Sequence, residues 1–447
     1  MDYKYLPGLD TPTSTFVSNE TKLNNKLEAK WKTRLDNVGF SPDAYGEYMN
    51  QAVVVENDKL MFSWVNGIKD ITNRQKADED TRMGLGSVTK SFTGALVEKF
   101  IDMNYITSRD DLATAYLNPK YSFPENNITI DQLLTHTSRL SDIPFDVDAV
   151  SPTEGAAKWG FSYFKQYSQN GQVRVNAQNM RLDFVSHFKD LTFPGSRDDE
   201  VIEVGEFSYS NMGYIMLGLI CEEAYFNETD DTRLLEYLYK TYLFDVAKMD
   251  RASSGWTSGY IEKSDRTVNE ATSYTSYDAG EWGFNIYAAT PVHPLGVYSA
   301  GNILTSAKDA AKFLPALSKG TLMGSTATAA YFNGRVDSTA QYPNWGTVGD
   351  GDPNTGSEYG SGIVEYQLNA TVDGVTPIPT GKTLYCHGGL RDGFVTAAIY
   401  DRELDISIVV TFNIDWTYQH AQTGAGALYK RYVEIYHPSS VTWPFGS

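Results

Sequence analysis

The chain has 447 residues, 41% of them apolar and 21% charged, which is the composition of a globular protein and not of a disordered one. Its net charge of -19 argues against nucleic acid or an anionic membrane surface as a partner. No stretch has the ~20 consecutive apolar residues of a membrane span, and the first residues lack the features of a signal peptide. We therefore expect a cytoplasmic protein, with a mature secreted chain as the alternative.

The predicted elements begin with a polar N-terminal arm, residues 1–20, and an amphipathic helix from Leu23 to Val38. Two apolar stretches, 51–55 and 60–65, flank a short polar turn and predict a hairpin of two strands. A helix then begins near Ser87, with apolar residues at helical spacing. This pattern indicates a buried helix whose first turn opens into a pocket.

Helical segments separated by long polar and aromatic loops fill the middle of the chain. Strand patterns return near the end and are followed by a last helix, over 362–368, 382–386, 394–400, 406–412 and 419–436. We therefore predict an α+β fold in which helices flank an antiparallel sheet. Residues 21–110 and 291–447 would form this discontinuous sheet domain, and residues 111–290 a mostly helical domain inserted in it, with the active site in the cleft between them.

Ser87 and Lys90 form a Ser-x-x-Lys pattern at the start of the predicted buried helix. Residues three apart on a helix lie on one face, about one turn from each other. A serine hydroxyl becomes an effective nucleophile when a neighbouring base takes its proton, so this spacing indicates nucleophilic catalysis. The pattern alone is common in chains of this length, and its meaning depends on the two motifs that follow.

The second motif is Tyr209-Ser210-Asn211, directly before an apolar helix. A loop in this position can present polar groups to a cleft. A phenolate close to a lysine ammonium has a lowered pKa and can act as a general base. The structural alternative is that Tyr209 packs in the core beside the helix.

The third motif is His387-Gly388-Gly389, at the end of a predicted strand. Glycines there let a substrate lie against the strand edge and let a backbone N–H point at an oxyanion. The alternative is an ordinary junction between a strand and a turn, with a hydrogen-bonded histidine.

In this order, the three motifs resemble those of the serine β-lactamase-like superfamily, which contains penicillin-binding proteins, class C β-lactamases, D-amino-acid peptidases and related esterases. The resemblance extends from about residue 40 to residue 435 and includes three further stretches, 133–138, 193–195 and 300–309. It implies a β-lactamase/transpeptidase-like fold and a serine hydrolase that acts on an ester or amide through an acyl-enzyme. His136 lies in the first of these stretches, and we interpret it as a residue that fixes a loop.

The resemblance also implies a role for each motif. Ser87 would attack a carbonyl carbon, while Lys90 and Tyr209 remove and relay the proton. The backbone N–H groups of Ser87 and Leu390 would hold the oxyanion.

Three further residues would contact the substrate or its surroundings. Asn211 would contact the substrate or fix Lys90, and Gly389 would lie at the substrate-binding edge. His387 would lie beside the carboxylate or leaving group of the substrate.

No metal or organic cofactor is needed for this chemistry, and the six histidines show no zinc-binding spacing. Cys221 and Cys386 are far apart, and we interpret them as buried reduced thiols. The expected partner is a small ester, amide or short peptide. The oligomeric state is not readable from the sequence.

Three departures from the family pattern narrow the interpretation. His387 in place of a lysine makes a penicillin less suitable as the substrate, because a neutral imidazole binds a carboxylate less well than a fixed cation. Residues 196–207 would shape the cleft or form a surface insert. The aromatic segments 256–282 and 331–359 are predicted to form the rim of the site and to favour a bulky or apolar acyl group.

Two alternatives to hydrolysis stay open. In an acyltransferase or cyclase, an alcohol or amine would replace water in the attack on the acyl-enzyme. In a binding or scaffold protein, the fold would be kept without activity.

Overall fold

The structure is a computed structural model. It describes residues 49–70, 73–117, 127–140, 205–254, 269–278, 284–288, 298–339, 356–368, 382–391, 393–414 and 418–440. The predicted N-terminal arm, the predicted helix from Leu23 to Val38 and most of the 196–207 insertion lie outside the described residues.

An eight-stranded sheet, in which every neighbouring pair is antiparallel, is built from both ends of the chain. Its strands are β1 (Asn50–Glu56), β2 (Lys59–Asn66), β10 (Val336–Asp337), β11 (Ser357–Tyr359), β12 (Val364–Leu368), β13 (Lys382–Arg391), β14 (Phe394–Asp401) and β15 (Ile406–Phe412). They lie in the order β10-β11-β12-β13-β14-β15-β1-β2, so that the N-terminal hairpin pairs with the last strand. The predicted hairpin and the four predicted C-terminal strands are therefore confirmed.

Seven short strands form three smaller sheets. They are β3 (Ile68–Asp70), β4 (Gln75–Lys76), β5 (Met83–Gly84), β6 (Ser253–Ser254), β7 (Tyr274–Asp278), β8 (Phe284–Ala288) and β9 (Ile303–Thr305). Three of them, β6, β7 and β8, fall within the region predicted to be mostly helical. The sheet β5-β9-β6 leads directly into the turn that carries Ser87.

The α-helices of the described residues are α1 (Thr89–Asp102), α2 (Ile130–Leu134), α3 (Asn211–Thr229), α4 (Leu235–Tyr239), α5 (Tyr298–Gly301), α6 (Ala307–Ser318), α7 (Ser325–Tyr331) and α8 (Tyr418–Tyr436). A π-helical turn, Lys240–Phe244, continues α4. On the sheet, α8 packs against β14 and β15, and α6 packs against β15 and β1.

Helix α1 is buried along most of its length, with 11 of its 14 residues buried. It packs against α3, α5 and α7, and its Phe92 ring stacks on Phe313 of α6 at 3.8 Å between centroids. Its buried Glu98 is held by both carboxylate oxygens, at 2.7 and 3.0 Å from the Arg109 guanidinium. A helix enclosed on all sides is a rigid support for the groups at its N-terminus.

These elements form the predicted α+β fold, in which helices flank an antiparallel sheet. The boundaries at residues 110 and 290 stay a prediction. Among the described residues no helix is long and apolar enough to cross a membrane, and no group of three or more His, Cys, Asp or Glu side chains is arranged to hold a metal ion. Cys221 and Cys386 are buried free thiols, as predicted.

Candidate active site

Ser87 lies on a 3-10 turn, Gly86–Val88, that joins β5 to the N-terminus of α1. The side chain of Ser87 is partly exposed, whereas its neighbours in the turn are buried. The first N–H groups of a helix have no carbonyl partner within it, so the Ser87 amide lies where an N-terminal turn can bind an anion. The hydroxyl and the backbone N–H of Ser87 thus lie together at the N-terminus of α1, where the side chain is partly exposed.

Lys90 is completely buried, and its Nζ contacts three oxygens from separate parts of the chain. Nζ lies 3.0 Å from Ser87 Oγ, 2.6 Å from Asn211 Oδ1 and 2.9 Å from the carbonyl oxygen of Ala300. The Asn211 and Ala300 oxygens can only accept hydrogen bonds, whereas the Ser87 hydroxyl can donate or accept. Nζ therefore donates to the Asn211 and Ala300 oxygens, while the 3.0 Å contact with Ser87 Oγ is one along which a proton can pass between the two side chains.

The second motif lies next to Lys90. Asn211 is the first residue of α3, whose N-cap Ser210 accepts the Gly213 N–H at 3.3 Å. The ring of Tyr209, partly exposed, has its centroid 4.8 Å from Lys90 Nζ, within the range of a cation–π contact.

His136 holds the loop that carries this motif. Its Nδ1 accepts the Ser210 N–H at 3.0 Å, and its carbonyl oxygen accepts the Ser208 N–H at 2.7 Å. These two bonds are on either side of Tyr209, whose ring centroid lies 4.2 Å from that of His136. Burial and the charge of Lys90 lower the pKa of His136 well below its usual range, so the ring is neutral. The interpretation of His136 as a loop-fixing residue agrees with these contacts.

The third motif lies on β13, which continues to Arg391, five residues beyond its predicted end. Pairing with β12 ends at Cys386, whereas pairing with β14 continues to Arg391. The edge freed beyond Cys386 runs along the Ser87 turn. A Cβ on Gly389 would overlap the Leu85 carbonyl oxygen and lie 3.1 Å from the Ser87 nitrogen.

Gly86 fixes the same approach from the other side. Its φ is +54°, and a Cβ there would lie 2.7 Å from the Leu390 nitrogen. The backbones of Ser87 and Leu390 therefore meet at one point, as an oxyanion hole requires. The Leu390 side chain is 45% exposed there, beside the partly exposed Ser87.

His387 is buried, and both of its ring nitrogens have protein partners. Nε2 lies 2.9 Å from the Tyr359 hydroxyl, and Nδ1 lies 2.7 Å from the Gly388 carbonyl oxygen. Burial, with a further contribution from the Lys90 charge, lowers the pKa of His387 to about 3. The imidazole is thus neutral near pH 7.

The structure brings Ser87, Lys90, Tyr209 and Asn211 into one cluster, with the backbone of Gly389 and Leu390 against the Ser87 turn. Asn211 Oδ1 contacts Lys90 Nζ, as the second of its two predicted roles requires. The assigned roles of all these residues stay predictions.

Two residues at the site carry no prediction from the sequence that matches their position. The Ala300 carbonyl lies in the stretch 300–309, for which the sequence indicates no chemical role. Tyr359 lies in the segment 331–359, which the sequence predicts to form the rim. In the structure, Tyr331 and Tyr359 are both completely buried, so the ends of that segment belong to the core, while residues 340–355 lie outside the described part.

A protein-family profile described as Beta-lactamase matches residues 44–428. Among curated proteins, Protein flp of Staphylococcus aureus (strain N315) is 28% identical over 175 residues. That match covers 38% of this chain and 29% of the flp protein. The chain thus matches less than a third of the length of this relative.

Solved structures of similar fold include two amide hydrolases. The structure of a D-stereospecific amidohydrolase from Streptomyces sp. matches with a TM-score of 0.63 at 18% sequence identity. The match covers 91% of this chain and 98% of the amidohydrolase chain. A D-amino acid amidase from Ochrobactrum anthropi SV3 has a TM-score of 0.62 at 17% identity, covering 92% and 99%.

The octameric penicillin-binding protein homologue from Pyrococcus abyssi has a TM-score of 0.62 at 19% identity, covering 91% of this chain and 77% of its own. At such low identities, these three similarities concern the fold.

Proposed function

The chain belongs to the beta-lactamase family, and from this premise we propose that it is a serine hydrolase that cleaves an ester or amide through an acyl-enzyme on Ser87. The observation that carries the proposal is the 3.0 Å contact between Ser87 Oγ and the buried Lys90 Nζ. Asn211 and Ala300 accept from the same Nζ and hold it beside Ser87 Oγ, where a neighbouring proton relay activates a serine nucleophile.

In the first step, Ser87 Oγ bonds to the substrate carbonyl carbon, and its proton passes into the relay formed by Lys90 and Tyr209. The carbonyl oxygen becomes an oxyanion, bound by the N–H groups of Ser87 and Leu390. One such donor stabilises the transition state by about 3–4 kcal/mol.

In the second step, the bond to the leaving nitrogen or oxygen breaks, and the leaving group takes the proton through Lys90 and Tyr209. Water then attacks the acyl-enzyme carbonyl carbon and gives up a proton to the same relay. The acid product leaves, and Ser87 regains its proton. Atoms and charges balance over the cycle without a cofactor.

The substrate class that we propose is a neutral amide or ester. The names of the amidohydrolase and the amidase of similar fold support this choice, since both refer to amides of D configuration. The state of His387 also supports it, because a neutral imidazole whose two ring nitrogens already have protein partners binds a substrate carboxylate less well than a fixed cation. A panel of p-nitrophenyl esters, D- and L-aminoacyl anilides and nitrocefin tests the class, and turnover of nitrocefin above all other substrates would contradict it.

A fluorophosphonate probe tests the nucleophile. We expect the wild-type protein to be labelled and Ser87→Ala to remain unlabelled. Ser91→Ala is the matched control, because Ser91 lies one turn later on α1, is buried and donates to the Gly362 carbonyl oxygen at 2.7 Å. Labelling of Ser87→Ala, or none in the wild type, would refute the assignment and favour the scaffold alternative.

Acyl transfer shares every step up to the acyl-enzyme. Added alcohols and amines therefore compete with water for one activated ester, and the product ratio separates the two activities. We expect the free acid to dominate; a dominant ester or amide product would make the protein an acyltransferase.

A further inference from the structure

We propose that Tyr359 is a positioning residue of this site: acting through His387, it fixes the strand edge that forms one half of the oxyanion hole. The inference rests on the proposed function and deepens it. The residue lies on β11, two strands away from β13, which carries His387, and is not among the predicted site residues.

The hydrogen bonds form a chain with a defined direction. The Gly388 carbonyl oxygen can only accept, so the 2.7 Å contact places the ring proton of neutral His387 on Nδ1. Nε2 is then an acceptor, and the Tyr359 hydroxyl donates to it over 2.9 Å. Hydroxyl, imidazole and carbonyl are thus linked in one buried sequence.

The end of this chain is the peptide next to the oxyanion edge. Gly388 and Gly389 have no side chains with which to fix their own backbone. The His387 bond fixes the Gly388 carbonyl, and the following residues Gly389 and Leu390 lie against Leu85 and Gly86. The tilt of the Leu390 N–H therefore depends on how firmly His387 is held.

Tyr359 also contacts the loop that carries the second motif. Its ring centroid lies 4.7 Å from that of His136 and 5.6 Å from that of Phe207. His136 in turn holds the backbone on both sides of Tyr209. The buried side chain of Tyr359 thus contacts His136, which holds the loop that carries Tyr209, and His387, which lies on the strand that carries Leu390.

The charges around His387 favour a neutral, purely structural ring. Lys90 on α1 faces it, His136 approaches it from the neighbouring loop, and Tyr359 contacts it from β11. A second positive charge beside Lys90 would be unfavourable in this buried setting. The ring therefore acts as a hydrogen-bonded link and not as a cation.

Tyr359→Phe tests the proposal, because it removes the hydroxyl and keeps the ring contacts. We expect kcat to fall about tenfold, in line with the loss of one buried hydrogen bond, with KM unchanged. The affinity of an aryl boronic acid, whose adduct with Ser87 places an oxygen in the oxyanion hole, should fall by the same factor.

Tyr429→Phe is the matched control. Tyr429 is also a buried tyrosine, and its hydroxyl donates to Asp401 Oδ2 at 2.6 Å, but it lies on α8. This variant should lose thermal stability as Tyr359→Phe does, with kcat and boronic acid affinity unchanged. An effect of Tyr359→Phe confined to KM or to the melting temperature would overturn the proposal.

A double-mutant cycle tests whether Tyr359 acts through His387. In a His387→Gln background, Tyr359→Phe should have no further effect on kcat, whereas independent roles would give additive losses. Fluorophosphonate labelling of each variant distinguishes failure of the positioning role of Tyr359 from failure of the proposed hydrolase function. Labelling at Ser87 with wild-type turnover in Tyr359→Phe refutes only the positioning role, and absence of labelling in the wild type refutes the proposed function.

Discussion

The Nζ of Lys90 contacts oxygens of Ser87, Asn211 and Ala300, which lie in three separate segments of the chain. The Asn211 and Ala300 oxygens belong to α3 and α5, so they fix Nζ from two directions and hold it 3.0 Å from Ser87 Oγ. The position of the amine relative to the nucleophile is therefore set by the packing of α1 against α3 and α5.

Lys90→Met should reduce kcat/KM by about a hundredfold or more, because it keeps most of the side-chain volume but removes the proton acceptor. Lys430→Met is the matched control: Lys430 is also buried, at 8% exposure, but lies on α8. Steady-state kinetics on one activated ester provide the measurement. Near-wild-type turnover in Lys90→Met would remove Lys90 from the mechanism.

Tyr209 and Tyr214 offer a matched pair around the same ammonium position. Their ring centroids lie 4.8 and 5.7 Å from Lys90 Nζ, but the Tyr214 hydroxyl donates to the Leu134 carbonyl oxygen and is completely buried. Tyr209→Phe should therefore lower kcat by about a hundredfold through loss of the relay, while Tyr214→Phe, which removes a hydroxyl bonded to Leu134 and Tyr359, should lower kcat about tenfold at most. Equal losses in both variants would indicate that the hydroxyl of Tyr209 has only a packing role.

At the scale of elements, the site forms where the N-terminal turn of α1 meets the free edge of β13. The two elements touch through their backbones. They are so close that a side chain at Gly86 or Gly389 would overlap the backbone of the other element. The distance between the Ser87 and Leu390 amides is thereby set by the packing of a helix on a strand.

Gly86→Ala tests this contact, and Gly356→Ala is its control. Both glycines have positive φ, +54° and +84°, but a Cβ lies 2.7 Å from the Leu390 nitrogen at Gly86 and meets nothing within 4 Å at Gly356. Backbone strain costs of the order of 1 kcal/mol at either site, while displacement of the oxyanion edge occurs only at Gly86.

We expect kcat to fall by about a hundredfold in Gly86→Ala and to change less than twofold in Gly356→Ala, with the lower melting temperature in Gly86→Ala because its Cβ overlaps the Leu390 backbone. Kinetics and thermal unfolding of both variants provide the comparison. Comparable kcat in the two would show that the Ser87 turn and β13 can separate without loss of function.

Local sequence patterns predicted those elements whose burial is evident from their own apolar residues. The hairpin β1–β2 and the strands β14 and β15 have continuous apolar patterns, and each was predicted to within one residue at either end. The continuation of β13 through Gly388 and Gly389 was not predicted, because two glycines locally favour a turn and only pairing with β14 keeps them extended.

The side chains of the site could be predicted because Ser87, Lys90, Tyr209 and Asn211 carry recognisable chemistry. Ala300 could not, since it contributes a backbone carbonyl that has no signature in the sequence. Tyr359 was assigned to the rim because aromatic, glycine-rich segments are typical of loops. Its position in the core depends on pairing between β11 and β12.

At the scale of the whole molecule, the site joins segments that are distant in sequence. In the sheet, the N-terminal strand β1 pairs with β15, the last strand of the chain. Lys90 contacts Asn211 and Ala300, which lie 121 and 210 positions away in the sequence. Assembly of the site therefore requires the complete fold, and conditions that weaken the fold should affect the site as a unit.

Acid should be such a condition. The pKa of His387 is lowered to about 3 by burial and by Lys90, and that of His136 is lowered well below its usual range for the same reasons. Unfolded histidine titrates near pH 6.5. As the pH falls below this value, the unfolded chain takes up protons at these positions while the folded chain does not, so the free energy of unfolding decreases until the pH approaches the folded pKa. Each such histidine contributes a slope of about 1.4 kcal/mol per pH unit.

His387→Gln tests this expectation. The variant should lose less unfolding free energy than the wild type between pH 6.5 and pH 5, and the difference should be about 2 kcal/mol. Urea unfolding at both pH values, for the wild type and the variant, provides the measurement. Parallel decreases in the two proteins would mean that His387 is already protonated in the fold, and the neutral link between Tyr359 and Gly388 would have to be abandoned.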